Sequence, residues 1–386
     1  MHIGVARAPA ASTEMPIAVP AIDELVIRWS GGHRSRYRWR WLRDCCPCDH
    51  CVGDGSGQRL ADLRRLPSEP RAVSSAITGG QLLVRWDDDD HVSRFDLDWL
   101  AARCCCSSHL DDRAGGRRAP AGGTRCPEVA DWSVVASSDR ALAWWLEAVA
   151  ADGWARLRGV PAGQLSAVVD RFGYIRETNY GRVFDVRAEV DPANLAFTGL
   201  ALGPHTDNPY RRPVPTLQLL HCLASSADGG QSIMVDGFAA AAVLRTERPE
   251  AFAQLATWPV PWRYADGSVD LATEAPVIEL GSGGTMVAIR FNERSRGPLR
   301  LDPDVVDDHL LALRRFASIL DRPELQVRTT LAPGDLLLFD NRRMLHGRTA
   351  YSSTGGRHLQ GCYADRDGLD SKLAVLRRHI LEPHHD

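Results

Sequence analysis

Apolar positions recur in two rhythms along this chain. Before residue 100 they alternate with polar ones over short runs, the period expected of half-buried strands. Residues 25–29, 37–41, 82–86 and 91–95 are read as strands, the last two joined by a turn at the four aspartates 87–90. Between Arg113 and Thr124 all periodicity stops in a run of Gly, Arg, Ala and Pro, which marks a linker. Beyond it, Leu142, Trp145, Leu146 and Val149 fall on one face of a helix with Ser138 as N-cap. A strand at 153–157 and a helix at 161–172 follow. A later helix over 303–320 aligns Val306, Leu310, Leu313 and Phe316 at helical spacing. Strand-like runs occupy 216–222, 232–236, 286–291, 336–339 and 358–363. The pattern predicts a mainly β protein with helices concentrated at the front. A small N-terminal β domain (20–112) is expected, then a linker (113–130), then a larger two-sheet sandwich of jelly-roll type (131–386).

Composition narrows the function classes. The chain has 386 residues, 44% hydrophobic and 25% charged, with a net charge of −3. That content excludes wholesale disorder, and the missing basic excess argues against nucleic acid as a partner. No apolar run approaches the roughly 18–20 residues of a membrane span, so no membrane partner is expected. The first twenty residues lack the compact apolar segment of a secretory signal, and a soluble, cytoplasmic protein is expected. Seven of the ten cysteines (Cys45, Cys46, Cys48, Cys51, Cys104, Cys105 and Cys106) precede residue 107. Such clustering suits a local metal site in a reducing compartment better than a disulfide framework.

Two groups of residues carry chemistry. Cys46, Cys48 and Cys51 form a C-x-C-x2-C cluster able to wrap a tetrahedral zinc ion, leaving one ligand to be found. His91, beside the acidic turn, is the best candidate, with His50 and Cys45 as rivals. Cys104–Cys106 are taken as bystanders. The second group begins at His205-Thr206-Asp207, where extended backbone points the imidazole and carboxylate the same way. A further histidine, His346, follows the strand expected at 336–339 and completes a 2-His-1-carboxylate set with open coordination positions. Eleven residues later comes Arg357, placed to clamp the far end of a dicarboxylate.

These motifs identify a resemblance. From about Trp39 to about Arg378 the chain resembles the γ-butyrobetaine hydroxylase and trimethyllysine dioxygenase family of Fe(II)/2-oxoglutarate oxygenases. It does so through Trp41-Leu42-Arg43-Asp44, the cysteine cluster, His205-Thr206-Asp207 and Leu345-His346-Gly347-Arg348. Arg176–Gly181, Gly229-Gly230, Phe339-Asp340-Asn341 and Gly361–Asp365 support it. The resemblance implies a double-stranded β-helix (jelly-roll) catalytic domain behind a small zinc-binding β domain, and a homodimer. It implies Fe(II) on His205, Asp207 and His346, O2 and 2-oxoglutarate as co-substrates, and Arg357 as the 2-oxoglutarate arginine, with Ser232 adding a hydroxyl. His91 is favoured as the fourth zinc ligand. A small quaternary-ammonium substrate is implied, held by an aromatic cage of Tyr180, Phe184, Phe197 and Tyr363, with Asn194 and Asn292 near its acid end. Ring faces attract a cation that cannot donate hydrogen bonds. The expected reaction is hydroxylation of γ-butyrobetaine to L-carnitine. The alternatives are a trimethyllysine substrate, or 2-(trimethylammonio)ethylphosphonate, for which Arg211, Arg212, Arg290 and Arg294 would supply positive charge. A non-catalytic zinc-containing binding protein is the reading outside this chemistry.

Overall fold

The computed structural model of the protein describes residues 16–53, 57–87, 91–106, 123–187, 200–226, 228–351 and 356–381. The chain divides into two compact units, Met1–Gly116 and Arg117–Asp386. Of the expected linker, 113–122 lie outside the described residues. The remainder is built into the larger unit: Thr124 Oγ1 donates to Leu325 O (2.6 Å) and accepts from Asp236 N (2.7 Å), and Val129–Asp131 is a strand. No helix among the described residues is long and apolar enough to cross a membrane.

In the first unit, Ile17–Pro20, Glu24–Arg28 and Arg34–Arg38 form one antiparallel sheet. Ala72–Thr78, Gln81–Trp86 and Val92–Asp96 form another. Alternate residues turn inward, so that Leu25, Ile27, Leu82, Val84 and Phe95 are wholly buried with Trp86 and Tyr37. The strand expected at 37–41 is corrected: the sheet ends at Arg38 and a short helix, Trp39–Asp44, begins. Its buried residues, Trp39, Leu42 and Arg43, follow i, i+3, i+4 spacing, which so short a run does not separate from alternation. Asp88–Asp90 of the expected acidic turn lie outside the described residues.

The second unit is a two-sheet sandwich. One sheet orders its strands Phe184–Arg187, Arg357–Ala364, Leu217–Ser225, Leu336–Asp340, Trp154–Arg158 and Val129–Asp131, with Ile175–Arg176 also against Arg357–Ala364. The other orders Leu202–His205, Met344–Arg348, Ser232–Asp236 and Gln326–Thr329. Between the sheets pack Leu220, Leu337, Phe339 and Leu359 from the first and Met234 and Met344 from the second. Helices Asp139–Asp152 and Arg366–Leu381 cover the outer face of the large sheet, and Gly237–Glu247, Pro249–Thr257 and Pro303–Leu320 cover the small one. Helices therefore do not sit mainly at the front. The Ala-rich helix after Asp236 buries Phe238, Ala239, Ala240 and Ala241 in succession, so it carries no amphipathic period to read. The helix expected at 161–172 is only Leu165–Asp170. In Pro303–Leu320 the buried face runs through His309, Ala312, Leu313 and Phe316, while Leu310 is turned to solvent.

One ion pair ties these layers together. Asp236 Oδ1 caps the following helix through Phe238 N (2.9 Å), while Oδ2 accepts from Arg343 Nη2 (2.7 Å) and Nε (3.1 Å). Arg343 Nη1 also donates to Ala151 O at 2.8 Å. Both side chains are buried, so removing one strands the other's charge. Arg343→Ala is expected to cost about 3–5 kcal/mol of stability in denaturant unfolding. The same change at solvent-exposed Arg158, paired with Asp131, should leave the midpoint nearly unmoved.

Candidate active site

The sandwich brings His205 and His346 together directly, because they are register partners across adjacent antiparallel strands. Their ring centroids lie 4.3 Å apart. Such close strands need a residue without a side chain at Gly347, where a Cβ would sit 2.5 Å from Leu202 O. Just past the end of its strand, Asp207 turns toward both rings: Oδ1 is 3.4 Å from His205 Nε2, and Oδ2 is 4.0 Å from His346 Nε2. One donor atom from each of the three falls within 4.8 Å of the others.

Each donor is oriented by the chain around it. His205 Nδ1 lies 2.9 Å from Gly203 O, which only accepts; Nδ1 therefore carries the hydrogen and Nε2 presents its lone pair. Asp207 is fixed at its backbone by Asn341, whose Oδ1 accepts from Asp207 N (2.8 Å) and whose Nδ2 donates to Asp207 O (2.9 Å). Its Oδ2 accepts from Gln218 Nε2 and from Tyr363 OH, both at 2.9 Å. Burial pushes the Asp207 carboxyl pKa up, but the neighbouring His205 and His346 rings outweigh it and hold the group well below the usual carboxylate range. Burial, then neighbouring His205, push the His346 pKa down to about 3. An ionised carboxylate beside a neutral imidazole is the form that binds a metal. The buried His346 Nδ1 has no hydrogen-bond partner among the described residues. The donor set suits a divalent first-row ion with open positions for other ligands.

Beside this centre lies a cavity of about 410 Å³, lined among others by Tyr180, Phe184, Ser232, Asn292, Arg357 and Tyr363. Three of the four expected cage rings meet there: Phe184 is 5.2 Å from Tyr363 and 6.0 Å from Tyr180. Phe197 and Asn194 lie outside the described residues. Tyr264 and Tyr210, which sequence reasoning passed over, extend the wall: Tyr264 stands 5.8 Å from Tyr180 and stacks on Tyr210 at 5.3 Å. Nothing in the local sequence marks Tyr264; it arrives on the hairpin Val260–Ala265/Asp270–Ala275. Gly361 lies opposite Phe184, and a Cβ there would fall 2.5 Å from the Phe184 ring. Asn292 lines the cavity but spends part of its amide on the backbone, with Nδ2 donating to Thr206 O (3.1 Å) and Oδ1 accepting from Arg294 N (3.2 Å).

Two further arginines, Arg348 and Arg357, line the cavity. Arg357 is buried; its Nε donates to Gly230 O (3.2 Å), and burial lowers its pKa. Among the described residues no carboxylate pairs with it. Arg348, also buried, packs 5.1 Å from the Tyr351 ring and donates to Leu200 O at 3.4 Å. Of the four arginines weighed for a phosphonate, three serve the scaffold. Arg211 bonds Asn179, Arg212 bonds Glu274 O (2.8 Å), and Arg290 bonds Glu279 and Pro209 O. Arg294 lines the cavity.

In the smaller unit, Cys46, Cys48, Cys51 and His91 converge, their sulfurs lying 3.1, 3.6 and 3.8 Å from His91 Nε2. Among the described residues it is His91, not His50 or Cys45, whose donor atom lies with the three sulfurs. Burial, followed by the other thiols, pushes the Cys51 thiol up to about 12, a cost that a cation among the sulfurs would remove.

Comparison with known proteins agrees with this architecture. Residues 118–363 match the taurine catabolism dioxygenase TauD, TfdA family, and the chain belongs to it. Residues 21–101 match the gamma-butyrobetaine hydroxylase-like N-terminal family. Similar proteins include a gamma-butyrobetaine dioxygenase of Pseudomonas sp. (strain AK-1), 39% identical, covering 91% of this chain and 93% of that one. The gamma-butyrobetaine dioxygenase of Homo sapiens is 32% identical, with coverage of 92% and 94%. The mitochondrial trimethyllysine dioxygenase of Mus musculus is 30% identical, with coverage of 92% and 86%.

The geometry makes Tyr363 answerable to the metal as well as to the cavity. Tyr363→Phe keeps the ring and removes one of the two side-chain donors to Asp207 Oδ2. It should leave unfolding unchanged and weaken Fe(II) affinity by about 10–100-fold, measured by metal titration.

Proposed function

We propose that this chain is an Fe(II)- and 2-oxoglutarate-dependent dioxygenase that hydroxylates a small trimethylammonium acid, with γ-butyrobetaine as substrate and L-carnitine as product. The observation that carries the reading is the His205–Asp207–His346 set opening onto a cavity walled by Tyr180, Phe184 and Tyr363. Relatives of similar length that are named for this reaction support it. Bound Fe(II) supplies the O2 activation that couples 2-oxoglutarate decarboxylation to C–H hydroxylation. The chain's own residues do the rest. His205 and His346 offer ring nitrogens and Asp207 a fixed carboxylate oxygen. Arg357 pairs with the distal carboxylate of 2-oxoglutarate, assisted by the Ser232 hydroxyl. The aromatic walls hold the cationic head by their faces and exclude water around it. Asn194 and Phe197 complete the set on sequence grounds. The three arginines committed to the scaffold favour a carboxylate over a phosphonate at the acid end.

Succinate formation should depend on added Fe(II) and γ-butyrobetaine, and His346→Ala should abolish it. Arg357→Ala should weaken 2-oxoglutarate binding by about 2–5 kcal/mol. The same defect in Arg348→Ala with Arg357→Ala unaffected would exchange the two roles. A tert-butyl isostere keeps the substrate's shape and loses its charge, and should bind about 1–2 kcal/mol more weakly. Equal binding of the two would sink the trimethylammonium assignment. Turnover that is faster with trimethyllysine would move the substrate to that acid.

We further propose a structural zinc ion on Cys46, Cys48, Cys51 and His91, closed by four protein ligands. Elemental analysis after iron removal should still find zinc. His91→Ala should lose that zinc and lower the thermal midpoint.

A further inference from the structure

The smaller unit holds a second convergence of soft donors, built from residues that flank the Cys46–His91 cluster in sequence. His33 Nε2 lies 3.3 Å from Cys104 Sγ and 4.0 Å from Cys106 Sγ, and one donor atom from each of the three falls within 4.8 Å of the others. A neutral imidazole nitrogen has a single lone pair, so two thiols gathered about one ring nitrogen exceed what a hydrogen bond explains. A tetrahedral zinc-type ion with its usual bond lengths sets nitrogen and sulfur about 3.5 Å apart. The observed pair brackets that value, as do the three sulfur distances to His91. Cys104-x-Cys106 also repeats the Cys46-x-Cys48 spacing.

The surrounding chain builds this arrangement without help from an ion. His33 sits in the turn between the strands Glu24–Arg28 and Arg34–Arg38, which is closed by Trp29 N to His33 O (2.9 Å) and Gly32 N to Trp29 O (3.1 Å). Gly31 and Gly32 both take positive φ there (92° and 84°). The cysteines follow the helix Leu97–Ala101, whose end is fastened to the same sheet by Tyr37 OH to Leu100 O (2.7 Å). Cys104 is buried, Cys106 half-buried, and His33 half-buried. Cys105 points elsewhere: it is exposed, and its thiol meets Arg103 O at 3.3 Å.

We propose that His33, Cys104 and Cys106 form a second metal site that takes a soft divalent ion of the zinc class. The described residues supply three of the four donors that such an ion prefers. Two thiol protons leave as the ion enters, which makes loading fall as pH falls.

The test uses the intact protein and alkylation mapped by mass spectrometry. Only the thiolate reacts, and metal coordination withdraws it, so Cys106 labelling should slow about tenfold or more when zinc is added. Exposed Cys105, one residue away, is the internal control and should keep its rate. His33→Ala should abolish the protection; so should Cys104→Ser, with circular dichroism reporting that each variant is folded. An unchanged Cys106 rate with zinc, or protection that survives His33→Ala in a folded protein, overturns the proposal. The readout is independent of the iron ligands and of Cys46, Cys48, Cys51 and His91, so it stands or falls apart from the proposed activity.

Discussion

The strands Leu202–His205 and Met344–Arg348 lie antiparallel with His205 opposite His346, and that register is the constraint on which the centre rests. Strand side chains alternate, so a slip of one residue would turn one imidazole to the other face. Gly347 lets the two backbones approach, and Asn341 clamps Asp207 from the strand connection just before Met344. The Asp236–Arg343 pair then anchors the start of the His346 strand against the helical layer. Metal geometry is thus inherited from sheet register rather than from a flexible loop, which suits a site that must hold donors in place before any ion arrives.

Electrostatics follows from the same placement. Burial raises the Asp207 pKa, yet its neighbours hold it ionised, and burial keeps His346 neutral. Arg357, also in the cavity lining, is a buried cation that donates to a carbonyl and, among the described residues, pairs with no carboxylate. The cavity lining therefore combines a cation-binding set with an anion-binding arginine and aromatic rings. A chelating dicarboxylate and a zwitterionic acid can both be oriented by that polarity.

The chemistry-bearing residues were legible because they are rare residue types at fixed spacing. His205-Thr206-Asp207, His346 and the three clustered cysteines stand out in the sequence alone, and His91 is a candidate through its neighbouring turn. What escaped notice acts through tertiary placement. Gln218 is one more polar residue in a strand until register sets it against Asp207. Tyr264 reaches the cavity on a hairpin whose packing no local pattern announces. The same limit explains the fold errors. An Ala-rich helix apolar on every side has no period, and the six residues after Arg38 are too few to tell a helical turn from alternation. Cys104 and Cys106 were set aside for want of a partner, which the chain supplies from His33 across the sheet.

Tyr363 shows how the two halves of the site are bound to one another. Its ring faces Phe184, and its hydroxyl, kept protonated by burial and by the neighbouring carboxylate, holds Asp207. One side chain therefore serves two masters. Tyr180, Phe184 and Tyr264 can be exchanged to reshape the wall while the proposed iron ligands stand undisturbed. Any remodelling that runs through Tyr363 also retunes the metal. The pocket has a negotiable wall and a fixed one, and new substrate preferences are most cheaply reached on the negotiable side.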